Sequence, residues 1–222
     1  MLSIIIPTYN ESNNIFLLIE MLEEELSLKH EIIVVDDNSP DGTATIVKQL
    51  SKKYDNIKLV QRKKKEGLSS AIVAGVTIAS GDILVMDADL SHPPNVIPSM
   101  LSALNKSDLV IGSRMLKEAG VENWPFHRKL ISKGAELLAR ILLGVNSSDP
   151  LSGFFAIKKD IFKKTKIRTK GYKILLNILA DNPNLNVKEV PYTFKDRHAG
   201  KTKLNYSEIL NFLFDIVRIK FS

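Results

Sequence analysis

"DILVMDADLSHPP", residues 82–94, begins as an unbroken apolar run, Ile83 to Met86, and ends in two aspartates one residue apart, Asp87 and Asp89. A hydroxyl, an imidazole and two prolines follow. A short run without polar alternation reads as a strand covered on both faces. The prolines then start a new helix. The stretch therefore predicts a buried strand whose carboxyl end carries charge.

The same apolar pattern recurs outward in both directions: "LSIII" (2–6), "EIIVV" (31–35), "IKLVQ" (57–61) and "DLVIG" (108–112). Helical patterns separate the runs. "NNIFLLIEMLEEEL" follows Ser12, the expected N-cap. "TATIVKQLSKKY" follows the turn-forming "NSPDG", with Asp41 or Thr43 as the expected cap. "GLSSAIVAGVTIAS" is rich in small residues and is expected to pack tightly on a sheet. The order βαβαβαβ predicts an α/β, doubly wound, mostly parallel sheet.

Beyond residue 112 the rhythm changes to a long helix in "WPFHRKLISKGAELLARILL", a strand in "GFFAIKK", a short helix in "YKILLNILAD" and an extended "LNVKEVPYTFKDR". No Gly-, Ser- or Pro-rich linker marks a boundary, so this half is expected to extend the same sheet and add a second wall. Residues 1–204 read as one domain and 205–222 as a C-terminal amphipathic helix. On that helix Asn211, Asp215, Arg218 and Ser222 form a narrow polar stripe. Its wide apolar arc suits either packing on the core or lying in a membrane interface.

The 222 residues carry 31 Lys and Arg against 25 Asp and Glu, a net charge of +6 that points to an anionic partner. The chain has no cysteine, which excludes disulfides, thiolate metal sites and a cysteine nucleophile. The start, "MLSIIIPTYNE", does not read as a signal peptide, and no apolar stretch approaches the ~18 residues of a membrane span. A soluble or peripheral protein is expected. The basic "RKKKE" run (62–66) lacks the interleaved aromatics of a nucleic-acid binder, so a non-enzymatic nucleic-acid module is the remote reading.

Ligands of open parallel sheets bind beyond the carboxyl ends of the strands. There this sequence places Pro7, Tyr9 and Glu11; Asp36 and Asp37; Arg62; Asp87 and Asp89; and Ser113 and Arg114. Extended residues i and i+2 share a face ~6–7 Å apart along the backbone, so the carboxylates of Asp87 and Asp89 can converge on one hard cation such as Mg²⁺ or Mn²⁺. The competing reading makes one aspartate a helix cap and leaves the other in solvent. Neither GxGxxG nor GxxxxGK[ST] occurs, so a bound diphosphate would have to be neutralised by metal and basic side chains.

"IIIPTYNE", "IIVVDDNSPDGT", "GLSSAIVAG", "MDADLSHPP", "VIGSR", "DPLSGFFAIKK" and "RHAGKTKLN" stand in an order that resembles the GT-A fold glycosyltransferases of family 2, from Leu2 to the final helix. Within that family the likeness is to the dolichyl-phosphate mannosyltransferase group. It implies a Rossmann-like GT-A catalytic domain and an inverting transfer of mannose from GDP-mannose to dolichyl or another polyprenyl phosphate. It further implies a peripheral position at the cytoplasmic membrane face, with a membrane surface and a small membrane-embedded subunit as partners. A UDP-glucose polyprenyl-phosphate glycosyltransferase of the same family is the alternative.

Position by position, the resemblance places Pro7, Tyr9 and Glu11 along the nucleotide pocket and Val35 and Asp37 at the guanosine. Asp87, Ala88 and Asp89 match the segment joining diphosphate and metal. Ser91 stands where some relatives have a metal-binding Gln, which leaves a serine ligand and a water as alternatives. Arg197 and Lys203 match a loop closing over the diphosphate, and Arg114, Arg128 and Ser132 match positions that hold the lipid phosphate. The catalytic set implied is Asp89, Arg114, Arg197 and Lys203. His92, His127 and His198 receive no catalytic role.

Overall fold

The computed structural model describes residues 1–121, 126–168, 173–194 and 214–220, with 126–133 described as backbone only. Its central sheet is built from β1 (Leu2–Thr8), β2 (His30–Asp36), β3 (Ile57–Gln61), β4 (Asp82–Val85), β5 (Leu109–Ser113), β7 (Phe155–Ile157) and β8 (Val187–Pro191), in the order β3-β2-β1-β4-β7-β5-β8. Six strands run the same way; β7 alone is antiparallel, wedged between β4 and β5. β6 (Gly120–Val121) and β9 (Thr193–Phe194) form a small parallel pair beside it.

Helices cover both faces. α1 (Ile15–Glu25), α2 (Thr43–Lys53) and α4 (Ile97–Leu104) bury Leu18, Leu22, Val47, Leu50 and Met100 against Ile4, Ile6, Ile32, Val34 and Leu84. On the other face, α3 (Leu68–Ile78), α5 (Phe126–Leu143), α6 (Lys159–Lys164) and α7 (Ile174–Asp181) pack on Ile5, Ile33, Val35, Ile83 and Ile111. In the central strands alternate residues enter opposite cores, which is why β1, β2, β4 and β5 show no polar alternation. The tight seat expected of α3 is found: a Cβ on Gly75 would lie 2.7 Å from Ile5 Cγ2 and 3.1 Å from Val35 Cγ2.

Several local features differ from the sequence reading. Helix α1 starts at Ile15, with Asn14 rather than Ser12 at the N-cap, because the Glu11 carbonyl accepts from both the Asn14 and Ile15 N–H groups. Ser12 N–H donates instead to Asp41, 3.0 Å away. Asp41 also accepts the Thr43 N–H and hydroxyl, so it serves the start of α2. The six-residue α6 and the two-residue β6 are too short to leave a periodic signal.

A final helix, α8, spans 214–220. It turns Asp215, Ile216 and Ile219 inward and leaves Phe214 and Val217 exposed. The apolar arc thus divides between core and surface, with one member of the expected polar stripe, Asp215, on the buried side. The expected division at residue 204 lies outside the described residues.

Candidate active site at the carboxyl edge of the sheet

Parallel register brings the strand ends level. Thr8 lies beside Asp36 and Asp36 beside Gln61, while Val85 lies beside Ile5, so the segment 86–89 leads up to the carboxyl end of β1. Because β7 runs backwards, its entry residues Gly153 and Phe154 return to the same edge. Ser113 pairs with Pro191, and Tyr192 N–H donates to the Ser113 carbonyl, which sets Arg114 and Tyr192 side by side. The strand-end residues picked from the sequence therefore share one edge wherever they are described.

This edge holds all three non-glycine residues with left-handed backbone among the described residues: Asn10 (φ 62°), Asn38 (φ 57°) and Leu90 (φ 65°). Asparagine accepts that conformation readily. Leucine does not, and holding one there costs about 1–2 kcal/mol. Leu90 packs against the first core, which offsets the strain, and its turn carries Ser91 back over Asp89.

Asp89 and Ser91 are almost wholly buried. The Ser91 N–H and hydroxyl both donate to Asp89 Oδ1, at 3.1 and 2.6 Å. Ser91 therefore orients the carboxylate, and of the two alternatives left open, a serine ligand or a water, this geometry favours the water. Neither the 3₁₀ turn Pro94–Val96 nor α4 takes a side-chain cap, so the helix-cap reading of the pair is overturned. Among the described residues no cluster of three or more His, Asp or Glu could hold a metal. Two carboxylates without further protein ligands suit Mg²⁺ or Mn²⁺ completed by water and substrate phosphate.

Around the expected nucleotide pocket, Pro7 sits within β1 opposite the fully buried Val35. The Lys65 ammonium lies 3.7 Å over the Tyr9 ring. Glu11 donates its N–H to Thr43 Oγ1 and accepts from Asn14 Nδ2. Asp37 is turned into the protein: Oδ1 meets Arg62 Nε and Nη2, and Oδ2 accepts the N–H groups of Glu66 and Gly67 at 3.2 and 3.1 Å. These donors fill the roughly four lone-pair sites of a carboxylate. Asp37 thus shapes the loop after β3, and a direct bond from it to a base is not the geometry present.

Arg114 forms a two-pronged pair with Asp149, which has no solvent exposure. Burial works against the guanidinium charge, but the Asp149 bonds outweigh it and hold the Arg114 pKa above its ordinary value. Beneath the pair, the Ser148 hydroxyl donates to Glu189 and lies 2.8 Å from Ser113 Oγ. Sequence reasoning missed Asp149 and Tyr192, and named His92 without giving it a role. Asp149 stands in "DPLSG", which reads as a turn, and its partner is 35 residues away. Arg128 and Ser132 lie on α5 within its backbone-only stretch, and Arg197 and Lys203 lie outside the described residues.

Residues 3–166 match the model of glycosyl transferase family 2. The chain belongs to this family. Among its relatives, the dolichol-phosphate mannosyltransferase of Pyrococcus furiosus is 47% identical over 98% of this chain, which spans only 63% of that protein's length. The Saccharomyces cerevisiae dolichol-phosphate mannosyltransferase is 37% identical, over 95% of this chain and 84% of its own. Glucosyl-3-phosphoglycerate synthase from Mycobacterium tuberculosis, solved with Mn²⁺, UDP-glucose and phosphoglyceric acid, superposes with a TM-score of 0.73. That match covers 99% of this chain and 78% of the other at 17% identity, a likeness of fold. Family 2 membership accounts for the GT-A arrangement, with the acidic pair at the end of the fourth strand.

Proposed function

We propose that this family 2 domain transfers mannose from GDP-mannose to dolichyl or a related polyprenyl phosphate, with inversion, releasing GDP. The observation that carries the reading is the 37% identity to the yeast dolichol-phosphate mannosyltransferase across 84% of that enzyme's length.

Breaking the anomeric bond builds charge on the leaving diphosphate. Mg²⁺ or Mn²⁺ on Asp87 and Asp89 would stabilise that charge when bound. Ser91 holds the Asp89 carboxylate in one orientation beforehand. Arg197 and Lys203, assigned by the sequence resemblance, would supply positive charge to the diphosphate. Arg114, kept in plane by Asp149, presents its guanidinium to the acceptor phosphate, with Arg128 and Ser132 from α5. A phosphate monoester is already ionised at neutral pH, since its second pKa is about 6. The acceptor thus needs positioning rather than a general base.

A lipid acceptor brings the reaction to a membrane. Among the described residues no helix is long and apolar enough to cross one. Exposed Leu137 and Ile141 on α5, with Phe214 and Val217 on α8, support a peripheral membrane seat; the cytoplasmic face and a small membrane-embedded subunit belong to the proposal through the sequence resemblance.

The test is transfer to a short polyprenyl phosphate from GDP-mannose and, separately, UDP-glucose, with Mg²⁺, Mn²⁺ or chelator. Turnover of GDP-mannose that needs metal, and its loss in a folded Asp89→Ala variant, is the expected result. Preference for UDP-glucose would replace the donor; turnover in chelator would remove the metal.

A further inference from the structure

We infer that His92 is a positioning residue for the acidic pair: its ring nitrogen fixes the backbone of Asp87 from behind. The inference rests on the metal-dependent reading above and adds a residue to it.

The backbone ladder between β1 and the β4 segment ends at Met86, whose N–H donates to the Ile5 carbonyl. The next N–H, that of Asp87, has left the sheet and donates to His92 Nδ1 at 2.9 Å. An accepting Nδ1 requires a ring without a proton on that nitrogen, so a neutral imidazole carries its proton on Nε2.

The ring has little freedom to be elsewhere. It is 2% exposed. It stacks on Phe154 with centroids 5.0 Å apart and planes 8° from parallel, and Tyr192 and Phe194 meet it edge-on at 5.8 and 6.2 Å. Gly153 closes the remaining side, where an added Cβ would sit 3.4 Å from His92 Cε1 and 3.5 Å from Asp87 Oδ2. Rings from the residue joining β8 to β9, from β9 and from the entry to β7 thus hold the imidazole, and the imidazole holds the first aspartate of the pair. A cation bound by few protein ligands depends on each being placed in advance, and partners behind metal ligands commonly govern affinity.

The experiment titrates Mn²⁺ by electron paramagnetic resonance, with GDP and in parallel with UDP, into wild type and His92→Phe, His92→Asn and His92→Leu variants. His92→Phe keeps the stacking and removes the acceptor. Asn and Leu share one shape and differ in having or lacking the acceptor. Mn²⁺ affinity is expected to fall roughly ten- to a hundred-fold in the Phe variant at little cost in melting temperature, with Asn binding more tightly than Leu. Wild-type affinity in a folded Phe variant, or equal affinities for Asn and Leu, overturns the inference. If the Phe variant does not fold, the Asn and Leu comparison decides alone. Wild type that binds Mn²⁺ with UDP but not GDP refutes the donor and leaves the His92 comparison readable with UDP. Wild type that binds Mn²⁺ with neither removes the metal reading and this inference together.

Discussion

Arg114 and Asp149 meet through two parallel hydrogen bonds, Nε to Oδ2 at 2.8 Å and Nη2 to Oδ1 at 2.7 Å, and the Arg114 backbone N–H adds a third to Oδ2 at 3.1 Å. One carboxylate therefore fixes both the guanidinium plane and the start of the loop that carries it. Under the proposed function, this holds the guanidinium still before the acceptor phosphate arrives.

Removing that carboxylate is expected to be costly twice over. Asp149→Ala removes the main carboxylate partner of a nearly buried cation, a loss of about 3–5 kcal/mol in unfolding free energy. Asp149→Asn keeps the shape and loses the charge, so its stability loss should be smaller. In that folded variant the KM for polyprenyl phosphate should rise while nucleotide affinity holds. Urea melts and steady-state kinetics check the two arms; an unchanged acceptor KM would detach Asp149 from the acceptor site.

The central strands β1, β2, β4 and β5 were legible because each is a short β-branched run buried on both faces, a pattern that survives without knowledge of its neighbours. The reversed direction of β7 was not, since a three-residue strand carries no mark of its polarity. The acidic pair was legible as a candidate because residues i and i+2 reach one face. Its supports were hidden: His92 looks like any loop histidine until β7 and β8 bring aromatic rings around it, and Asp149 meets Arg114 only through the order of the strands. The turn at Leu90 was equally silent, because a leucine in left-handed backbone is set by surroundings rather than by its own preference.

Gly75 tests the seat of α3. Alanine gains up to about 1 kcal/mol of helix preference. Here, however, its methyl would enter space held by Ile5 and Val35, and overpacking of this kind costs about 1–3 kcal/mol. Gly75→Ala should lower the denaturant midpoint, with a net loss near 1 kcal/mol in equilibrium urea unfolding. A gain in stability would show that the strands yield more easily than their buried positions imply.

Glu31 ties the opposite edge of the sheet. It accepts from the Ser3 hydroxyl and Ser80 N–H, each at 2.6 Å, and pairs with Lys58 at 2.7 Å. Burial raises its carboxyl, but the bonds from Lys58, Ser3 and Ser80 prevail and hold it below the ordinary value of 4.5. A depressed native pKa adds stability that is fully present above 4.5 and is lost as the pH falls through and below it. Glu31→Gln should be less stable than wild type at neutral pH by about 1–2 kcal/mol and should lose less on acidification, so the two converge in melts from pH 7 to 3.

Asp37 and Arg62 offer the sharpest separation between a direct and an indirect role. Arg62 joins Asp37, donates to Ser70 Oγ at 2.6 Å and to the Gly67 carbonyl at 3.0 Å, and so closes the loop after β3 onto the start of α3. With its acceptor sites occupied, Asp37 would act on the nucleotide of the proposed donor through that closed loop. Asp37→Asn and Arg62→Gln should therefore weaken GDP binding by similar factors, and the double variant should be little worse than either, a coupling of about 1 kcal/mol or more in a double-mutant cycle read by calorimetry. Additive losses would mean that Asp37 leaves Arg62 on binding and meets the base itself, the role suggested by sequence resemblance alone.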